Sequence, residues 1–215
     1  MLIFGAKGLA KEVLEVCLEK ENKSDIVFFD DISSDLPNKL YNEFEILRNL
    51  EEATDYFKKI DNRFVLGLGG PFLRSFAYQK FINIGGIPYS IISSTSKIGS
   101  FGVEIGAASN IMLNSVITND VKLGKGVLVN QMASIGHDVL IDDFVEVCPG
   151  SAISGNCRIG ELTFLGTNCT ILPNITVGRG VVVGAGSVIN RDIPDGCTVV
   201  GVPGKIIKEN NIYLK

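Results

Sequence analysis

The chain has 215 residues, 46% hydrophobic and 20% charged, a balance that suits at most two modest folded domains and excludes intrinsic disorder. Twenty Lys and Arg stand against 24 Asp and Glu, a net charge of −4, so the basic footprint of a nucleic-acid binder is missing. No run of 18 apolar residues marks a membrane span. The five cysteines, odd in number and without a C-x-x-C pair, support neither a disulfide scaffold nor a zinc ribbon, and a cytoplasmic protein is expected.

Residues 1–90 read as a Rossmann-like α/β domain. Leu2-Ile3-Phe4 predicts a first strand and Gly5-Ala6-Lys7-Gly8 a tight turn. Ala10 to Lys20 follows with Val13, Leu14, Val16 and Cys17 at helical spacing. A second strand, Ile26 to Phe29, ends in Asp30-Asp31, and a third, Phe64 to Leu66, runs into Gly67-Leu68-Gly69-Gly70 before an amphipathic segment from Phe72 to Ile84. Strand, glycine turn, helix, strand and acid make a βαβ unit of the nucleotide-binding kind. Backbone N–H groups at the helix start would face phosphate, and Asp30 or Asp31 could accept from a base or ribose hydroxyl. The first turn departs from G-x-G-x-x-G, with Lys7 and Ala10 where glycines belong, so a mononucleotide-sized ligand fits better than NAD. Plain turns and a solvated strand end remain open as the alternative.

Residues 91–215 carry a six-residue repeat. Stepping by six from Ile105 to Ile189 gives fifteen positions, each Ile, Leu or Val. The residue four after each is Ser, Thr, Ala, Cys, Val or Ile, and the residue one after is often glycine, as at Gly106, Gly124, Gly136, Gly160, Gly166, Gly178 and Gly184. The pattern predicts a parallel β-helix in which three six-residue rungs close a triangular coil and every eighteenth residue stacks. Small residues four steps on are expected at the tight corners, with Gly, Asn or Asp where φ must be positive. Cys157 and Cys169 occupy such slots, so packing explains them better than redox chemistry.

The repeat resembles that of the hexapeptide acyltransferases, which implies left-handed coils, trimers, and acetyl-CoA held between neighbouring prisms. Gly-Ala-x-Gly, the acidic pair and the Gly136-His137-Asp138 rung together resemble the bacterial sugar acetyltransferases, which include sialic acid O-acetyltransferases and N-acetyltransferases of nucleotide-linked 4-amino-4,6-dideoxy sugars. That resemblance implies nucleotide contacts at Gly5, Lys7, Gly8, Asp30 and Asp31, with Gly67 and Arg74 nearby. It also implies acetyl-CoA contacts at Gly155, Thr167, Ala185 and Lys205. Many members carry a second histidine at the position of Glu146; a carboxylate there accepts a hydrogen bond from the cofactor's amide but does not act as a neutral imidazole.

His137 is the one histidine. The register turns Ile135 inward and puts His137 at a corner. An imidazole suits a general base near neutral pH, and Asp138 beside it would orient the ring. The expected function is therefore acetyl transfer from acetyl-CoA to the 4-amine of a nucleotide-linked sugar, by a homotrimer with no metal. O-acetylation of sialic acid or another glycan hydroxyl is the alternative reaction, and a nucleotide-binding trimerisation module the alternative without one. One histidine falls short of a three-histidine zinc site.

Overall fold

A computed structural model describes residues 1–209. The first part is a six-stranded sheet built from β1 (Leu2–Phe4), β2 (Val27–Phe29), β3 (Lys39–Leu40), β4 (Phe44–Leu47), β5 (Arg63–Leu66) and β6 (Ile87–Pro88), in the order β3-β4-β2-β1-β5-β6. β1 is parallel to both β2 and β5, and only the β3–β4 hairpin is antiparallel. Three helices, α1 (Gly8–Cys17), α2 (Leu50–Lys59) and α3 (Pro71–Ile82), connect the strands. Phe4, Phe29, Phe57, Phe64 and Phe81 pack in edge-to-face and tilted pairs around α2 and α3, with centroids 4.7 to 6.4 Å apart.

α1 stops at Cys17, short of the expected Lys20, and Glu19 beyond it accepts hydrogen bonds from Ser93 and Ser94 at the start of the coil. α3 begins at Pro71, whose missing N–H costs nothing in the first turn. The hairpin and α2 were not expected. α2 nevertheless carries a start signal: Asn49 accepts from the Glu52 N–H at 2.9 Å while Glu52 accepts from the Arg48 N–H at 2.6 Å.

From Ile91 to Val200 the chain winds a left-handed parallel β-helix with three flat faces. The first face stacks strands from Ile91–Ile92 to Cys197–Val200, with Lys205–Glu209 folded back antiparallel. The second runs from Lys97–Ile98 to Val188–Ile189, the third from Glu104–Ile105 to Thr176–Val177. Partners lie eighteen residues apart, as Ile117 with Ile135 and Ile135 with Ile153. The interior is the expected column of Ile, Leu and Val, each side chain contributing about 1.5–3 kcal/mol by leaving water.

Two details of the repeat differ from expectation. The small residues four steps on, such as Ser109, Ser151, Cys157 and Cys169, are buried inside the prism beside the aliphatic column instead of turning the corner. Positive φ falls three steps on, at Asn114, Asp120, Asp138, Asn156, Asn168 and Asn174, and also at Met132, Phe144 and Leu162. The glycines one step on serve close approach: a Cβ on Gly106 would lie 2.4 Å from the carbonyl carbon of Gly124 in the next coil. All five cysteines are buried free thiols.

Ile171→Ala, in the fully buried column, is expected to cost about 2–5 kcal/mol in chemical denaturation. Met132→Gly, at an exposed left-handed corner (φ 58°), is expected to cost nothing or to stabilise slightly in the same measurement, because it removes a Cβ clash.

Candidate active site

The N-terminal sheet sits on the first face of the coil. Asn110 donates to the Leu66 carbonyl at 2.8 Å, Arg74 Nε donates to the Gly126 carbonyl at 3.0 Å, and Tyr78 packs edge-on against Phe144. Arg74 also donates through Nη1 to Leu66 and Leu68 carbonyls at 3.1 and 2.8 Å. It is fully buried, and burial pushes its pKa down to about 10 against the pull of Glu146. The family resemblance put Arg74 near the nucleotide contacts; its buried guanidinium instead ties the loop after β5 to the coil. Its helical spacing with buried Ala77 and Phe81 is the signal for that inward position.

Glu146 lies in the same seam, nearly buried on the first face. Its Oε2 accepts from the Gly70 N–H at 2.5 Å, at the start of α3, where a carboxylate meets an otherwise unpaired donor and the positive end of the helix dipole. Its Oε1 lies 3.8 Å from Cys148 Sγ, whose thiol burial pushes up to about 12, with the carboxylate adding to the shift. Glu146 therefore holds the glycine loop of its own chain.

The other N-terminal candidates gather at the C-terminal ends of β1, β2 and β5. Gly5 N–H donates to the Phe29 carbonyl at 2.7 Å and Gly67 N–H to the Phe4 carbonyl at 2.8 Å, so the two glycine turns are adjacent. Gly67 has no room for a side chain: a Cβ would lie 2.7 Å from the Phe4 oxygen. Gly8, by contrast, opens α1 with nothing within 4 Å of such an atom. Lys7 pairs with Asp35 at 2.6 Å and holds its carboxyl below the ordinary value. Asp30 accepts from the N–H groups of Ile32 and Ser33, bracing its own loop, while Asp31 pairs with Lys80 at 2.5 Å. Lys80 is a neighbour that sequence reading missed; only its distant position in α3 brings it to the strand end.

His137 lies at the corner between the second and third faces, away from the first face that the N-terminal sheet covers. Its side chain is 64% exposed, and Nδ1 is 2.7 Å from Asp138 Oδ2. With Nδ1–H donating to that carboxylate, Nε2 carries the free lone pair. Asp138 reaches the ring because its backbone is left-handed (φ 58°). The ring lies against Gly155 one coil on: a Cβ there would come within 2.6 Å of Cε1 and Nε2. Gly155, expected at the cofactor, is thus also the floor on which the imidazole rests.

Thr167 and Ala185 stack on a different corner, between the first and second faces, and both are exposed. Lys205 begins the exposed terminal strand. Within one chain the second face separates these residues from His137. Among the described residues, no group of three or more His, Cys, Asp or Glu could hold a metal ion, and no helix is long and apolar enough to cross a membrane.

Residues 1–81 match the PglD N-terminal domain, and residues 156–191 match the bacterial transferase hexapeptide. The acetyltransferase domain of PglB from Neisseria gonorrhoeae FA1090, solved with acetyl coenzyme A, is 32% identical with a TM-score of 0.84, covering 96% of this chain and 98% of that one. PerB from Caulobacter crescentus, solved with CoA and GDP-perosamine, is 25% identical with a TM-score of 0.84, covering 96% of each chain. The serine acetyltransferase of Bacillus pumilus (strain SAFR-032) is 34% identical over 122 residues, 56% of this chain and 54% of its own. The chain spans about half the length of the curated relatives it matches.

Because the chain holds a single histidine, one imidazole Cε1–H signal reports the site. Gly155→Ala is expected to shift that signal while the circular dichroism of the coil stays unchanged. An unmoved signal would mean that the ring does not rest on Gly155.

Proposed function

The chain belongs to the bacterial sugar acetyltransferases that join a PglD-type N-terminal domain to hexapeptide repeats, and from that premise we propose that it acetylates the 4-amino group of a nucleotide-linked 4-amino-4,6-dideoxy sugar, using acetyl-CoA, in bacterial surface-glycan synthesis. Residues 1–90 hold the nucleotide in this reading and residues 91–215 carry the transfer. The observation that carries it is the exposed His137 with Nδ1 held by Asp138 at 2.7 Å.

The amine nitrogen attacks the thioester carbonyl carbon. A C–N bond forms, and His137 Nε2 takes the proton from nitrogen as Asp138 stabilises the imidazolium. The C–S bond then breaks, and CoA leaves as a thiolate that recovers the proton. The tetrahedral oxyanion needs a backbone donor such as the Gly155 N–H.

The placement of residues supports a trimer. The sheet with Gly5, Gly8, Asp30 and Asp31 covers the first face, while His137 occupies the opposite corner. Thr167, Ala185 and Lys205 lie apart from His137 as well. Another copy, rotated about a threefold axis, sets one copy's imidazole against the other's cofactor residues. The second face suits such a contact, for beyond Lys97 at its first strand the outward residues Val116, Ser134, Ala152, Thr170 and Val188 are small or apolar. The third face presents Glu104, Lys122 and Arg158 to water.

Thiol release from acetyl-CoA, measured with UDP-, GDP- and dTDP-linked 4-amino sugars and with free sialic acid, tests the reaction. Turnover is expected with at least one amino sugar, and His137→Asn is expected to lower it about 10²- to 10⁴-fold. Turnover with sialic acid alone would make the enzyme an O-acetyltransferase. Undiminished turnover in His137→Asn would remove the base.

A further inference from the structure

The chain leaves β1 through α1, which packs on one side of the sheet with Ile3, Phe28 and Val65. It leaves β5 through α3, which packs on the other side with Phe29, Phe64 and Leu66. β1 and β5 are neighbours, so the strand order reverses between them and the loops that follow part at the carboxyl end of the sheet. In open α/β sheets a ligand enters at such a point. One wall of the opening is the turn Gly5-Ala6-Lys7-Gly8, the other the loop Gly67-Leu68-Gly69-Gly70.

The second wall is poorly stiffened by its own sequence. Three of its four residues are glycine, Gly70 sits at φ 84° as the cap of α3 with no side chain to offer, and the first turn behind it holds Pro71 and no acid. Two charged side chains hold the loop instead. Arg74 donates to the Leu66 and Leu68 carbonyls, and Glu146 reaches from the coil to accept the Gly70 N–H. A Cβ on Gly69 would meet Glu146 Oε1 at 3.5 Å, so the carboxylate lies along the loop. The two charges also depend on each other. Arg74 is fully buried, and among the described residues its Nη2 has no partner. A guanidinium withdrawn from water needs a negative charge nearby, and Glu146 is the one that acts on it. A neutral imidazole in its place would accept the Gly70 N–H but supply no such charge.

We propose that Glu146 is a positioning residue for the nucleotide-linked acceptor and not a contact of acetyl-CoA: its carboxylate sets the wall against which the nucleotide lies. The inference rests on the acetyl-transfer reading above. It moves Glu146 from the cofactor side of the reaction, where the family resemblance put it, to the acceptor side. The residue is only 7% exposed, with Oε2 given to Gly70 and Oε1 turned to Gly69 and to Cys148 Sγ, so little of it is left for a cofactor.

Steady-state kinetics with the amino-sugar nucleotide that the wild-type enzyme turns over, together with hydrogen exchange, test the assignment. Glu146→Ala is expected to raise the acceptor KM about tenfold or more while the acetyl-CoA KM stays within about twofold. Glu146→Gln keeps an oxygen that accepts the Gly70 N–H and is expected to recover most of the loss. A general loosening of the fold would lower the amount of active enzyme without moving one KM alone. By NMR the Gly70 amide of the wild-type protein is expected to exchange with deuterium slowly, and much faster in Glu146→Ala. Fast exchange of Gly70 in the wild-type protein would overturn the proposal even if the alanine variant does not fold. A rise in the acetyl-CoA KM, alone or as large as that of the acceptor, would make Glu146 a cofactor contact and overturn it. Unchanged values of both KM would overturn it and leave acetyl transfer standing. Absence of wild-type turnover on every amino sugar would overturn the acetyl-transfer reading and this one with it.

Discussion

An aliphatic side chain every sixth residue, stacked on its equivalents eighteen residues away, sets the position of nearly every atom that matters in this protein. The column from Ile111 to Val199 excludes water along the prism axis, and the strands around it are only two residues long on most rungs. Such short strands have little stability alone; each coil depends on the interior contact with the next. The dividend is positional rigidity. Because Ile135 is fixed inside, the residues after it must turn the corner, and His137 is carried outward with no freedom to slide along the chain.

The same stacking explains why the corner is so intolerant of side chains. Gly155 has to be glycine for the His137 ring to lie flat on it, and Gly106 has to be glycine for the next coil to approach. Asp138 meets the ring because the corner forces a left-handed backbone there. The pairing of His137 with Asp138 is thus a consequence of coil geometry, and the carboxylate fixes the orientation of the imidazole. On the other side of the prism, Arg74 and Glu146 clamp the loop Gly67-Leu68-Gly69-Gly70 onto the first face. That clamp fixes the C-terminal end of β5 relative to the coil.

Much of this was legible in the sequence because a six-residue period leaves no competing fold. The inward register of Ile135 and the outward turn of His137 followed from counting alone. The position of positive φ was not legible, since Met132, Phe144 and Leu162 occupy it without the chemistry that marks a left-handed turn. Nor was the engagement of Asp31 by Lys80 or of Glu146 by Gly70, because both partners are far apart in the chain and meet only through tertiary packing. Arg74 shows the limit most plainly. The family resemblance put it near a ligand, and only the packed structure reveals the backbone carbonyls that its Nε and Nη1 meet, with Nη2 buried and, among the described residues, unpaired.

The central claim is that the coil presents an imidazole whose Nδ1 is committed to Asp138, leaving Nε2 as the proton acceptor. Nitrogen-15 resonances of the single histidine in uniformly labelled protein, recorded where the ring is neutral, report the tautomer directly. The account predicts a protonated Nδ1 and an unprotonated Nε2, reverting towards the ordinary solution mixture in Asp138→Ala. A proton found on Nε2 in the wild-type protein would contradict it.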